Sequence, residues 1–318
     1  VTQEVLGLVE RTYADHPGTL DGTTLPTTLD DAARLRRWAF EECLPQFGPF
    51  EDAMSSQSSN LFHTRLSSLM NLQRLPVREI VDSAVAAEIP LASKEGFVRQ
   101  ILGWREFVRH VHEQTDGFRR FPGQETAASG GSGAPSFLGA SNDLPATYWG
   151  RPSGMNCLDT VVREVWEEGY SHHITRLMVL SNLATLLDVS PRELTDWFWC
   201  AYTDAFDWVV EPNVLGMGTF AAGDLMTTKP YVSGAAYINR MSDYCSGCAF
   251  DPRKNCPITP LYWAFLERHR DKLESNPRLR LAMTQAGRRA SDKKERDRHT
   301  FDTVLETLGQ GRALRPEA

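Results

Sequence analysis

At 318 residues, 41% of them hydrophobic and 24% charged, the chain can bury a large core and reads as a soluble globular protein. No run of about 18 apolar residues occurs, which excludes a spanning helix. A net charge of −7 argues against a generally basic nucleic-acid coat but allows a local basic groove.

In chain order, the opening VTQEVLGLVERTY has neither an initiator Met nor a basic–apolar signal pattern, as expected of a trimmed chain or one numbered from inside a longer protein. Leu35, Trp38 and Ala39 share a helical face. Phe97, Ile101, Trp104, Val108 and Val111 step by four, three, four and three residues, which predicts a helix from about Lys94 to Glu113. The stretch from Phe121 to Gly150, with Gly130-Gly131-Ser132-Gly133, breaks the periodicity and reads as a flexible connector or surface loop. Leu158, Val161, Val162 and Val165 resume the helical pattern, and Ser190 before Pro191 is a helix start. The mixed-charge run from Arg288 to Arg298 reads as a solvated helix face. Alternating strand patterns are nearly absent, so the fold class is all-α.

Three of the six cysteines, Cys245, Cys248 and Cys256, fall within twelve residues, which suits a reducing compartment and metal ligation better than secretion. The turn-rich Asp251 to Asn255 can fold Cys256 back beside the CxxC pair. Soft thiolates at this spacing take zinc or an iron–sulfur cluster, and the spacing chooses neither the metal nor the fourth ligand among Cys157, Cys200 and Cys43.

Several segments together resemble the iron–sulfur bacterial cryptochromes and photolyases, the group that includes the prokaryotic (6-4) photolyases. They are LFHTRLSSLMNL (61–72), FVRQILGWREFVR (97–109), YSHHITRLMVLSN (170–182), YTDAFDWVVEPNVLGMGTF (202–220), and KPYVSGAAYINRMSDYCSGC continuing to CPITPLYW (229–263). The resemblance implies a helical FAD-binding domain with a [4Fe–4S] cluster towards its C-terminal side, and it names Cys157 as the fourth ligand beside Cys245, Cys248 and Cys256. It divides the chain into a lead-in (1–50), a first domain part (51–120), the loop (121–148), a second part with the cluster (149–272) and a helical tail (273–318). The family's N-terminal α/β antenna domain has no counterpart here, so a fragment or a naturally short member without an antenna chromophore is expected.

The same resemblance places the FAD diphosphate on Thr64, Arg65, Leu66 and Ser67, and the isoalloxazine edge on Arg176 with its partner Asp204. The position facing flavin N5 falls on Val210, where ordinary members of the family have Asn and the iron–sulfur group often has an acid. Valine offers no hydrogen bond there; a one-residue slip would give the place to Glu211. His172 and His173 fall at the lesion pocket, one as proton donor, although adjacent helical residues point about 100° apart. Gln100 and Trp104 match pocket positions, and Trp104 could equally belong to the core stripe. Trp149 and Trp197 match electron-relay positions. The third, usually Tyr, is Phe198, with Trp199 as a detour.

The expected function is light-driven repair of (6-4) pyrimidine photoproducts in DNA by reduced FAD, in a cytoplasmic monomer with no membrane partner and UV-damaged DNA as substrate. The alternatives are a cryptochrome-like blue-light receptor without repair and an iron–sulfur nucleic-acid module lacking flavin.

Overall fold

The computed structural model describes residues 2–120, 127–129 and 132–316. Helices dominate, and among the described residues the only paired strands are Ala127–Ser129 and Ser132–Ala134, antiparallel with Ala128 opposite Gly133. Local chemistry fixes several helix starts. Thr28 and Asp31 exchange side-chain and backbone hydrogen bonds in a capping box ahead of Leu29–Trp38. Ser190 accepts from the Glu193 N–H ahead of Pro191–Ala201. The helix Asn156–Glu168 ends at Gly169, whose φ of +60° turns the chain sharply into Tyr170 and the two histidines.

The predicted helix over 94–113 is present as Leu91–Val98, a π-helical segment Arg99–Arg105 and Glu106–Gln114. Phe97, Ile101, Val108 and Val111 are buried as their spacing requires. A π turn interrupts the helix between them, and Phe97, Ile101, the half-buried Trp104 and Val108 all line one cavity. Further π segments occur at Ala39–Cys43, Arg176–Ser181 and Pro212–Gly218.

Part of the predicted loop over 121–148, including Gly130 and Gly131, lies outside the described residues. Its later part is anchored: the Phe137 N–H donates to the Ala221 carbonyl at 2.8 Å, and Leu138 is buried. The charged run of 288–298 enters the helix Ser291–Gly309, mostly exposed except that Asp297 is buried against Arg289.

Three apolar clusters form the interior. One is built on the segments around Leu158, Leu180, Trp197 and Phe265, a second around Leu44, Leu66, Ile80 and Phe97, and a small third around Val108, Phe118 and Leu215. Phe47 and Met70 from the second, Val108 from the third, and Leu177 and Val214 beside the first line one shared cavity where the clusters meet.

Candidate active site

The cavity holds about 730 Å³, the size of a cofactor pocket. Three of the four π segments supply its wall: Gln100, Trp104 and Arg105 from the first, Arg176 and Ser181 from the second, Asn213 and Met217 from the third. Each π turn locally abandons the regular helical register, which turns polar side chains from neighbouring positions towards one space.

One end of the wall is a strained turn. Leu61, Phe62 and Arg65 all adopt positive φ (33°, 67° and 55°), a conformation that costs non-glycine residues energy and clusters at ligand clamps. Thr64, Arg65, Leu66 and Ser67 all line the cavity here. The Arg65 guanidinium is braced by Glu168 at 2.7 Å and lies 4.7 Å over the Tyr170 ring, so a cation is fixed beside two hydroxyl side chains. This donor set matches a phosphate-bearing ligand.

Behind it lies the best-ordered charge pair of the site. Arg176 meets Asp204 through two bonds of 3.0 Å each, with Asp204 itself 5% exposed. Ser67 Oγ donates to Asp204 Oδ2 at 2.7 Å, and Arg176 Nε donates to the Ser171 carbonyl at 2.7 Å. Asn71 binds the Asp204 carbonyl at 3.0 Å and is itself held by Arg105 at 2.8 Å. The Asp204 carboxylate holds the Arg176 guanidinium above its ordinary value against the pull of burial. The Arg176 guanidinium also lies 4.1 Å over the Tyr202 ring.

Val210 lines the cavity and Glu211 does not. Glu211 points the other way, to Arg192 at 3.2 Å and His112 at 3.1 Å, so a slip that brings it to the cavity is incompatible with its buried ion pairing. Asn213, a residue the sequence reading passed over, does line the wall. Gln100 donates to Glu51 at 2.6 Å, which leaves its amide oxygen for a ligand.

The two histidines separate, but not as neighbours on one helix: His172 is the extended residue ahead of the helix that starts at His173. His173 lines the cavity; His172 lies behind it, 1% exposed, with both ring nitrogens buried and unpartnered among the described residues. Its ring stacks on His63 with centroids 4.4 Å apart and planes within 8°. His63, which sequence reasoning did not single out, is the second imidazole on the cavity wall. The partly desolvated cavity wall and the nearby cation Arg176 lower His173, whose ring stays exposed to the cavity, while burial drives His172 well below the ordinary histidine range.

The aromatic side chains form a connected path. Trp149 is 48% exposed and stacks on Trp166 at 5.7 Å; Trp166 meets the buried Trp197 at 6.3 Å. Both Trp166 and Trp197 donate their indole N–H to the Tyr148 carbonyl at 2.9 Å. Trp197 touches Phe198 at 5.1 Å, and Phe198 lines the cavity. Trp199 is 39% exposed and stands off this path. Trp166 was missed because a tryptophan on an amphipathic helix looks like packing until its neighbours are known.

On the opposite side of helix Asn156–Glu168 the cysteines gather. Cys157 lies in the first turn of that helix, and Asn156 donates to the Tyr244 carbonyl at 2.9 Å, tying this helix to the turn Tyr244–Gly247. Asp251 closes the following turn by accepting from the Cys256 N–H at 3.0 Å, which brings Cys256 back towards the pair. Burial and the neighbouring Cys256, Cys248 and Cys245 thiols push Cys157 up, and Cys256 rises to about 11 for the same reasons. All four sulfurs therefore lie within electrostatic reach of one another. Among the described residues no three His, Cys, Asp or Glu side chains close around a single ion point. Cys43 is buried elsewhere, with its thiol 3.8 Å from the His63 carbonyl, and Cys200 is exposed.

A helical domain with a polar-rimmed cavity at the junction of its cores is a flavin-binding architecture, and the comparisons with known proteins agree. The family model for the FAD binding domain of DNA photolyase matches residues 97–253. A (6-4) photolyase of Agrobacterium fabrum is 38% identical over 288 residues, covering 88% of this chain and 54% of that protein. An uncharacterized protein of Acanthamoeba polyphaga mimivirus is 30% identical over 115 residues, 36% of this chain and 90% of that protein. The crystal structure of a bacterial class III photolyase from Agrobacterium tumefaciens superposes with a TM-score of 0.53, at 15% identity, over 88% of this chain and 56% of that one, which shows the shared fold. The chain belongs to the DNA photolyase family and carries its FAD-binding domain. It spans about half the length of the Agrobacterium (6-4) photolyase it matches. No helix among the described residues is long and apolar enough to cross a membrane.

Proposed function

We propose that this chain is the flavin-bearing part of a light-driven enzyme that repairs (6-4) pyrimidine photoproducts in DNA. The observation that carries the reading is the single cavity in which the Arg176–Asp204 pair, the strained Thr64–Ser67 turn, His173 and Trp104 all meet. Bound FAD in its reduced form supplies the electron on absorbing light. The residues do the rest. Arg65, Thr64 and Ser67 hold the diphosphate, and the Arg176 guanidinium favours negative charge on the ring edge. Val210, on the cavity wall, would offer the flavin ring no hydrogen bond. Trp104 offers a stacking face to a base taken out of the duplex, and Gln100 offers its amide oxygen to that base's N–H edge. His173 is a neutral hydrogen-bonding imidazole as it stands; it becomes a proton donor when negative charge enters the cavity and offsets Arg176.

Trp197, Trp166 and Trp149 serve as the route for electrons from the surface. The buried Trp197 and half-buried Trp166 hydrogen-bond to a carbonyl, a poor base, while exposed Trp149 can lose its proton to water and trap the hole there. Phe198 acts as the wall between Trp197 and the cavity.

Cys157, Cys245, Cys248 and Cys256 hold a [4Fe–4S] cluster in this reading. The CxxC pair Cys245 and Cys248 with Cys256 supplies soft thiolate ligands for such a cluster, and the family resemblance supplies Cys157 as the fourth. Cys157 in the first turn of one helix and Cys256 just ahead of Ile258–Arg268 place positive helix ends beside the anionic thiolates.

The test uses the holoprotein with fully reduced FAD and an oligonucleotide carrying (6-4) lesions under blue light. Lesion loss is expected in the light and not in the dark. Lesion binding without loss supports neither repair nor this assignment of His173. Flavin photoreduction without any lesion affinity favours the photoreceptor reading.

A further inference from the structure

The helix Asn156–Glu168 ends in a corner at the cavity wall. Gly169 turns the chain at φ +60°, and a Cβ there would stand 2.7 Å from the Thr203 side chain, both of which favour glycine. The corner brings Glu168 and Tyr170 to the same cation. The Glu168 carboxylate takes Arg65 Nη1 at 2.7 Å, and the Arg65 guanidinium lies 4.7 Å over the Tyr170 ring. We infer that Tyr170 is a positioning residue of the phosphate site: its ring holds the Arg65 guanidinium, with Glu168 on one edge, where the remaining N–H donors meet the ligand's phosphates. The inference rests on the flavin reading above and adds to it the residue that lets Arg65 select a phosphate-bearing flavin.

Arg65 needs such a hold. Its backbone φ of +55° is costly for a residue with a side chain and persists where surrounding contacts over-determine it. A long side chain left to rotate would also have to be ordered on binding, which subtracts from affinity. An aromatic ring suits arginine because the guanidinium is planar and weakly hydrated: a ring against its face leaves the donors around its edge available. Glu168 occupies one edge and is itself held by Ser59 Oγ at 2.8 Å.

Tyr170 has a second cation within reach, since the Arg176 guanidinium lies 5.3 Å from the same ring centroid. The two arginines do not depend on the ring equally. Arg176 is held by two 3.0 Å bonds to Asp204, by the Ser171 carbonyl and by the Tyr202 ring at 4.1 Å. Arg65 is held by Glu168 and Tyr170. Weakening the Tyr170 ring as a cation platform therefore loosens Arg65 and leaves Arg176 in place. The consequence is specific to the ligand: a flavin with phosphates loses affinity and one without them does not. Tyr170 is 8% exposed, so plain packing is the competing account, and packing predicts equal losses for both flavins.

The experiment dilutes the FAD-loaded chain and follows release by flavin fluorescence, with riboflavin titrated into the ligand-free chain for comparison. Position 170 is filled with phenylalanine and with its mono-, di- and trifluorinated forms, which keep the ring shape while draining negative charge from its face. Y170F, the conservative variant, is expected to bind FAD as the unaltered chain does, because both guanidinium groups lie over the ring. Affinity for FAD is expected to fall with each added fluorine, by about five- to thirtyfold in total, the equivalent of a desolvated cation–π contact of about 1–2 kcal/mol. Riboflavin affinity is expected to move by less than about twofold across the same series, and FAD affinity in an R65M background is expected to show no dependence on fluorination. Melting of each variant shows that the fold persists. A flat FAD series, a riboflavin series as steep as the FAD one, or a slope that survives in R65M would each overturn the inference. Failure of the unaltered chain to hold FAD would instead overturn the flavin reading.

Discussion

Replacing Asp204 by Asn tests the electrostatic centre of the cavity. The substitution keeps the shape but removes the negative charge that Arg176 meets through two 3.0 Å bonds and that Ser67 meets at 2.7 Å. Removing one partner of a buried, hydrogen-bonded pair leaves an uncompensated charge and costs about 3–5 kcal/mol. The Arg176 side chain retains 22% exposure and faces the cavity, so water relieves part of the penalty and the low end, about 3 kcal/mol, is expected. Urea unfolding of the ligand-free chain, followed by circular dichroism, reads this as a lower midpoint at unchanged slope. The paired replacement R176M/D204L should recover most of the stability, because two apolar groups leave no orphan charge, yet it should not retain FAD. A D204N cost under about 1 kcal/mol, or a double variant no more stable than the single one, would refute the claim that this pair is buried and mutually dependent.

Four further outcomes follow from the same geometry. E211Q should cost stability through Arg192 and His112 while leaving the flavin spectrum unchanged; a shifted flavin spectrum would return Glu211 to the cavity. W166F should slow photoreduction of bound FAD by at least about tenfold at equal FAD content, since it leaves a gap between Trp149 and Trp197, and an unchanged rate removes Trp166 from the route. C157S should lower bound iron and thermal stability together, measured by iron assay and melting; full iron retention would sink the four-cysteine ligand set. Below pH 6.5 the unfolded chain protonates His63, which the fold keeps neutral down to about 3. The ligand-free fold should therefore lose stability as pH falls from 6.5 towards 4, by up to about 1.4 kcal/mol per pH unit for this one histidine. Urea midpoints that hold constant over that range would contradict the buried setting of the His63 ring.

Much of the site was legible in the chain because its segments carry chemistry that survives without coordinates. The Thr64–Ser67 turn, Arg176, Asp204, Gln100, Trp104 and Val210 were all placed by the family resemblance, and all line one cavity. What escaped was whatever depended on pairing across sequence. His63 looked like an isolated polar residue until His172, 109 positions later, was found stacked on it. Trp166 sat on a helix whose spacing already explained it as packing. The adjacent His172 and His173 could not be ranked from sequence, since helical periodicity says that they diverge but not which one meets the cavity.

The sequence by itself determined that the domain is helical, where several helices start, and that Cys245, Cys248 and Cys256 form one local unit, because periodicity, caps and short spacing act over a few residues. The tertiary structure alone decided that Glu211 turns away to Arg192, and that His173 meets the cavity while His172 stacks on His63 behind it. Those outcomes depend on which faces meet, which is set by packing between segments separated in the chain, and no local pattern encodes it.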